Sequence, residues 1–122
     1  MHKVDLQEKF TLFTEQWQPK IVGELNGQYV KIAKLKGEFV WHRHENEDEL
    51  FLVVRGQLTI KLKDQDSGDI VLSEGQFFIV PRGVEHLPVA KNECHVMLFE
   101  PKTVRNTGNL QNERTVERSE KI

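Results

Sequence analysis

The stretch that decides the fold is GEFVWHRHENEDELFLVVRG, residues 37–56. It places His42 and His44 two positions apart, and Glu49 follows at the start of an apolar run. On a β-strand, side chains two positions apart lie on the same face, about 6.5–7 Å apart along the chain. Two imidazoles in this arrangement can converge on one ion. The stretch therefore predicts a β-strand that carries a pair of metal ligands.

The residues after Glu49 predict a second strand with a polar head. Glu49, Phe51 and Val53 share one face if the run is extended. A carboxylate at the head of an inward apolar row is costly unless a positive group meets it. A metal ion held by the two histidines would meet it. Further along the chain, His86 follows a tight turn that contains Pro81 and Gly83.

Short apolar runs alternate with turn signals between residues 21 and 100, which is typical of an all-β fold. About nine short strands in this span indicate a sandwich or barrel, because a single open sheet would leave too many edges. The predicted turns include Asn26-Gly27, Arg55-Gly56 and Asp66-Ser67-Gly68. The predicted strands are 20–25, 29–35, 38–44, 50–54, 57–63, 70–72, 77–80, 87–90 and 94–100.

The two ends of the chain differ from this central region. Residues 1–20 carry apolar side chains at helical spacing behind a capping pair, Asp5 and Glu8, and predict an N-terminal arm or short helix. Residues 101–122 contain only four aliphatic side chains and predict a polar C-terminal tail, either mobile or laid over another surface. The apolar residues of the arm are Leu6, Phe10, Phe13 and Trp17.

Composition narrows the classes of function. The net charge of −2, from 17 basic and 19 acidic residues, argues against a nucleic-acid partner. Cys94 is the single cysteine, which excludes an intrachain disulfide and any multi-cysteine zinc or iron–sulfur site. The apolar runs are short and residues 1–10 are charged, so we expect no membrane association and no signal peptide. We expect a cytoplasmic protein.

Two motifs give the chain a resemblance to the cupin superfamily. His-x-His-x4-Glu-x6-Gly over residues 42–56 resembles the first cupin motif, and Gly-x5-Pro-x-Gly-x2-His over residues 75–86 resembles the second. The 18 residues between them match small bacterial single-domain cupins. Ala90 departs from the pattern, because the second motif often ends in Asn. The resemblance implies a double-stranded β-helix, or jelly-roll barrel, over about residues 21–100.

By the same resemblance, His42, His44, Glu49 and His86 are four ligands of one divalent transition metal. Three imidazoles and a carboxylate suit Mn, Fe, Co, Ni, Cu or Zn, whereas Mg and Ca prefer oxygen ligands. Four protein ligands leave one or two coordination positions open for water, substrate or O₂. The sequence assigns no further catalytic residue.

Three functions remain open. The first is a small metal-dependent enzyme acting on a small organic or sugar-like substrate, because small cupins of this shape are often likened to mannose-6-phosphate isomerase. The second is an Fe(II) dioxygenase-type cupin, and the third is a non-catalytic barrel that holds a small-molecule ligand. No cluster of Lys or Arg is evident for a phosphate. The expected pocket wall is apolar and consists of Val30, Ile32, Val40, Phe51, Val53 and Phe78.

The alternation that turns the candidate ligands inward also turns their neighbours outward. Five large apolar groups on one outer surface are an unusual patch for a monomer. We therefore expect a homodimer that covers this patch, with the N-terminal arm contributing. The outward residues are Phe39, Trp41, Leu50, Leu52 and Val54.

Overall fold

The computed structural model describes residues 1–63 and 68–122 and is built almost entirely of β-strands. Asp66 and Ser67 of one predicted turn lie outside the described residues. A short helix, α1, spans Leu6–Phe10. The strands are β1 Lys20–Leu25, β2 Gln28–Glu38, β3 Glu49–Arg55, β4 Leu58–Leu62, β5 Ile70–Leu72, β6 Phe77–Val80, β7 His86–Pro101 and β8 Glu120–Lys121.

The long strands β2 and β7 pair antiparallel and form the centre of a jelly-roll barrel. The first half of β7 also pairs with β4, and its second half pairs with β3. β5 and β6 continue outward from β4 and β3, while β1 lies on the free side of β2. Because β7 changes partners along its length, it runs from one side of the barrel to the other. The all-β jelly-roll prediction is confirmed.

The predicted strand boundaries are correct where the two-residue alternation is regular. β1, β5 and β6 have the predicted limits, and β7 joins the predicted strands 87–90 and 94–100 into one. The predicted strand 38–44 is wrong, because β2 ends at Glu38 and only an isolated bridge between His42 and His86 follows. Gly37 has a φ of 82° and lies at a register shift between β2 and β7, so the alternation is interrupted there.

The apolar side chains form two clusters on opposite faces of the central strands. The barrel interior is lined by inward residues of β2, β3, β4 and β7, such as Leu35, Phe51 and Val96. Ile32 lies in the second cluster, outside the barrel, against Phe10 and Phe13 of the N-terminal arm. The prediction that Ile32 lines the interior pocket is therefore wrong. Between Lys31 and Leu35, the odd-numbered residues of β2 point into the barrel.

The N-terminal arm begins with a capped helix. The Asp5 side chain accepts a hydrogen bond from the Glu8 backbone N–H at 3.3 Å, which satisfies one free donor of the first turn. Helix α1 ends at Phe10, and an irregular segment connects it to β1. In the described part of the chain, no helix is long and apolar enough to cross a membrane.

Candidate metal centre

Four buried side chains converge at one end of the barrel. The candidate ligand atoms of His42, His44, Glu49 and His86 all lie within 4.8 Å of one another. Glu49 Oε1 is 3.2 Å from His44 Nε2 and 3.7 Å from His86 Nε2. Metal–ligand bonds of about 2.0–2.2 Å place ligand atoms up to about 4.4 Å apart across an ion. The spacing therefore fits a single metal ion with little adjustment.

Backbone hydrogen bonds hold the histidines in place. The N–H of His42 donates to His86 O at 3.0 Å, and the N–H of His86 donates to His42 O at 2.8 Å. The Gly83 N–H donates to His44 O at 2.8 Å, so the turn before β7 also fixes the second histidine. Glu49 begins β3. These hydrogen bonds thus join the irregular segment that carries His42 and His44 to His86, the first residue of β7, and to the turn before it.

The ring orientations of two histidines suit metal binding. Nδ1 of His42 lies 2.8 Å from Val40 O, and Nδ1 of His86 lies 3.0 Å from Val84 O. A carbonyl oxygen only accepts hydrogen bonds, so Nδ1 carries the proton in each ring and Nε2 keeps its lone pair. Metal-binding histidines commonly have their other nitrogen fixed in this way.

The buried ring nitrogens supply an independent test of the fit. Within residues 1–63 and 68–122, Nε2 of His44 and Nε2 of His86 are buried and have no hydrogen-bond partner, despite the nearby Glu49 carboxylate. Leaving such a polar atom unpaired costs about 1–3 kcal/mol. A metal ion at the centre of the cluster removes that cost, and the set of three nitrogens and one carboxylate suits a first-row transition metal.

The protonation states of the candidate ligands also favour the binding of a cation. Burial lowers the pKa of His42 to about 4, so this ring is neutral near pH 7. Burial likewise opposes the charged form of His44, but the Glu49 carboxylate outweighs it and raises the pKa of His44. Burial alone would raise the pKa of Glu49, yet His44 and His86 hold it well below its usual range. Glu49 is therefore ionised, as a metal ligand must be.

A mostly apolar pocket adjoins the cluster, and His42 and Glu49 form part of its wall. Trp17 stacks on Phe39 with ring centroids 4.7 Å apart, and Phe39 meets the His42 ring edge-on at 5.4 Å. The cavity volume is about 40 Å³, which is well below the usual range for ligand pockets and indicates room for a small molecule only. The remaining wall residues are Pro19, Ala33, Leu35, Phe51, Pro88, Val96, Leu98, Glu100 and Asn106.

The position of Phe39 corrects the predicted outer face. Phe39 was expected to point outward, but it is buried and lines the pocket with His42. The expectation assumed regular alternation from residue 38 to 44, and this segment is not a strand. Trp41 is 39% exposed, whereas Val54 packs against the N-terminal arm. Of the predicted wall residues, only Phe51 is among those that line this pocket.

The sequence analysis missed a buried ion pair beside the cluster. Glu100 Oε1 lies 3.0 Å from Lys31 Nζ, and both residues are buried. Burial and the neighbouring Glu49 raise the pKa of Glu100, whereas Lys31 opposes this change. The sequence contains a signal for this buried glutamate. Glu100 is the last residue in the inward-facing row of β7, just as Glu49 is the first residue in the inward-facing row of β3. Applying the same reasoning to both strands would have found it.

A C-terminal segment contacts the chain that carries the first two ligands. The Arg43 N–H donates to Asn109 Oδ1 at 3.0 Å, and the Asn109 N–H donates to Arg43 O at 3.0 Å. Gly108 has a φ of 57°, and a Cβ there would lie 2.2 Å from Arg43 O. Asn106 lines the pocket. In this structure the polar C-terminal residues therefore lie against the candidate metal centre.

The barrel and the converging donor set define a cupin domain, and comparison with known proteins agrees. The family profile described as the cupin domain matches residues 28–100 of this chain. The matched segment contains all four candidate ligands and the strands that surround them. The chain belongs to the cupin family.

Individual relatives support this membership. A cupin-2 domain containing protein from Shewanella frigidimarina NCIMB 400 is 42% identical, with a TM-score of 0.77, over 81% of this chain and 94% of that chain. The protein NMB1881 from Neisseria meningitidis is 29% identical, with a TM-score of 0.74, over 83% and 100%. The protein YdbB from Bacillus subtilis strain 168 is 37% identical over 65 residues, which cover 53% of this chain and 56% of YdbB. The chain thus spans about half the length of this curated relative.

Proposed function

We propose that this cupin is a metal-dependent enzyme that acts on a small, largely apolar organic substrate. The observation that carries the proposal is the shared wall, because His42 and Glu49 belong both to the four-donor cluster and to the lining of the pocket. A substrate in the pocket would therefore lie beside the metal centre. His42, His44, Glu49 and His86 would hold one divalent transition metal.

A bound metal ion and the protein chain would have different roles in the reaction. A divalent ion bound there supplies a Lewis acid, and iron would add redox chemistry. Phe39 and Trp17 form an apolar part of the pocket wall by their stacked contact. The backbone carbonyls bonded to Nδ1 of His42 and His86 fix the two rings. These contacts pre-organise the site before a substrate enters.

An isomerase of the mannose-6-phosphate isomerase type is the finer version of this proposal. The lining of the pocket supports a small organic substrate better than a sugar phosphate. Among the described residues, no Lys or Arg lines the pocket beside His42, and most of the wall is hydrocarbon. A phosphate needs converging cations or backbone donors, and a sugar needs several polar partners.

An Fe(II) dioxygenase is the second candidate, and the apolar pocket favours it. Four protein ligands leave room for O₂ beside a substrate, and a largely apolar wall limits the access of water to reactive species. A non-catalytic binding protein would use the same pocket without turnover. The two enzyme classes differ in the metal required and in whether O₂ is consumed.

Elemental analysis of protein purified without added metal tests the proposal. We expect close to one equivalent of a transition metal per chain. Iron together with O₂ consumption during a screen of small organic substrates supports the dioxygenase. Zinc or manganese with substrate turnover and no O₂ consumption supports the isomerase type. Absence of metal after growth in metal-replete medium contradicts the proposal, and bound metal without turnover of any screened substrate favours the binding protein.

A further inference from the structure

The pocket beside His42 contains a polar atom for which the chain supplies no partner. The polar side chains in its wall are those of His42, Glu49, Glu100 and Asn106. The Asn106 amide already has one partner at each heteroatom, because its Nδ2 donates to one backbone carbonyl and its Oδ1 accepts from one backbone N–H, both at 2.8 Å. His42 and Glu49 belong to the proposed metal centre. Glu100 is the polar group that remains to face a ligand.

The two carboxyl oxygens of Glu100 differ in their surroundings. Oε1 lies 3.0 Å from Nζ of Lys31, and this contact fixes the side chain. Oε2 is buried and makes no hydrogen bond of normal geometry in the described part of the chain, although the Glu49 carboxyl lies close enough to raise the pKa of Glu100. Glu100 itself is only 2% exposed. Buried polar atoms are almost always paired in folded proteins, so an unpaired oxygen in a pocket wall is a position where a ligand group can bind.

The aromatic part of the wall is held in a strained conformation. Trp17 has a φ of 61°, which is rare for a bulky residue. Its backbone N–H donates to Lys34 O at 2.8 Å, and its indole Nε1–H donates to Lys36 O at 2.9 Å. The indole stacks on Phe39 at an interplanar angle of 16°. Strain of this kind clusters at ligand sites, and here it presents a fixed flat surface.

We propose that Glu100 is a specificity-determining residue, and that the pocket takes a small flat apolar molecule with one hydroxyl group paired to Glu100 Oε2. A hydroxyl donates to a carboxylate and accepts from a carboxylic acid, so the pairing holds in either state of Glu100. Stacked aromatic walls suit a ring as the apolar part. The inference deepens the proposed function and rests on it for the reaction alone, since the pairing itself needs no metal.

Phenol and toluene are the probes, because they have the same number of heavy atoms and differ in a hydroxyl against a methyl group. The full chain with Trp41→Phe leaves Trp17, on the pocket wall, as its single tryptophan. Tryptophan fluorescence then reports each titration. The two dissociation constants are measured after treatment with EDTA and again after loading with Zn²⁺. The quantity compared between variants is the ratio of the toluene to the phenol dissociation constant.

The test variant is Lys31→Met with Glu100→Leu, because removing Glu100 alone would leave a buried charge unpaired. We expect the ratio to fall at least about 10-fold, as for the loss of one buried hydrogen bond to an ionisable group. The matched control is Lys102→Met with Glu24→Leu, which also removes a Lys–Glu ion pair, but away from this pocket. Glu100→Gln retains a polar group and should keep most of the preference.

A crystal structure of the wild-type protein with phenol is the second measurement, should the double variant fail to fold. The hydroxyl oxygen is expected within hydrogen-bond distance of Glu100 Oε2, and any other placement overturns the inference. An unchanged ratio in the double variant, an equal change in the control, or no binding of either probe also overturns it. A phenol preference that requires Zn²⁺ assigns recognition to the metal instead. A preference that persists in protein that takes up no metal contradicts the proposed function alone.

Discussion

The four candidate ligands come from two unlike regions of the molecule. Glu49 and His86 are the first residues of β3 and β7, and ladder hydrogen bonds fix their directions. His42 and His44 lie in an irregular segment, the ligand loop, which we define as residues 39–48. The ligand loop is held by a β-bridge to His86, by a hydrogen bond from Gly83, and by contacts from Asn109, which lies more than 60 residues further along the chain.

The difference shows that one site can depend on two kinds of structural support. A strand-borne ligand keeps its position as long as the sheet is intact. A loop-borne ligand depends on each individual contact, and the contacts include hydrogen bonds with Gly83, His86 and Asn109. We therefore expect changes around the ligand loop to affect metal binding more than they affect the stability of the barrel.

Replacement of a ligand in the ligand loop should have the largest effect. His44→Ala removes one of four donors, so we expect metal content after purification and desalting to fall at least about 10-fold, since loss even of outer-shell partners often costs 10–100-fold in affinity. His95→Ala is the control, because His95 pairs with Glu93 and stacks on Phe10, away from the cluster. Elemental analysis of both proteins provides the measurement. Equal losses in the two variants would contradict the ligand assignment.

Gly108→Ala should have the next largest effect, through the contact that supports the ligand loop. The added Cβ would lie 2.2 Å from Arg43 O, so the backbone beside His42 must shift. We expect a loss of roughly 1–3 kcal/mol in the free energy of unfolding and weaker metal binding. Chemical denaturation and a competitive metal titration measure the two quantities.

Gly27→Ala is the matched control for this variant. Gly27 also has a positive φ, 76°, but a Cβ there meets nothing within 4 Å among the described residues. It therefore carries the conformational cost without the crowding. Metal affinity should stay unchanged in Gly27→Ala, and an equal loss of affinity in both variants would show that Gly108 does not act through the ligand loop.

The same contrast explains how much could be predicted from the sequence. The alternation of β3 placed Glu49, Phe51 and Val53 on the buried face, as the structure has them. Alternation failed in the ligand loop, because Gly37, just before the loop, has a positive φ and interrupts the period, and Phe39 then turns inward. The contact with Asn109 could not be predicted, because no local pattern links residues so far apart. The four candidate ligands followed from motif spacing, which does not require the loop to be a strand.

We expect self-association to depend on strands β3 and β6 and not on the ligand loop. Leu50 and Leu52 are paired with Ile79 and Phe77 of β6, and the latter two are 47% and 59% exposed. These exposed apolar side chains support the homodimer, which remains a prediction. Light scattering of the full chain should give about twice the monomer mass of 14.3 kDa at tens of micromolar protein.

Ile79→Glu tests this face directly. A charge in the middle of an apolar contact is costly to bury, so we expect the variant to have the monomer mass at the same concentration. Val71→Glu is the control, since Val71 is 53% exposed on β5, which does not pair with β3 or β6. A monomer mass for the wild-type chain would rule out the dimer, and dissociation of both variants would indicate a general loss of solubility or folding instead.

Cys94 provides the smallest expected change and the closest test of the contrast between loop and strand. It is fully buried on β7, and burial, followed by the charge of Glu74, raises the pKa of its thiol to about 11. At pH 8 about one thiol in a thousand is ionised at that pKa, against roughly a quarter in an unfolded chain. A thiol reagent should thus label the folded protein at least about 100-fold more slowly than the urea-unfolded protein.

Chelation of the metal should leave the labelling rate of Cys94 unchanged, because the strand stays in place even if the ligand loop moves. Faster labelling after chelation would show that the metal supports the strands as well, and the distinction between the two regions would not hold.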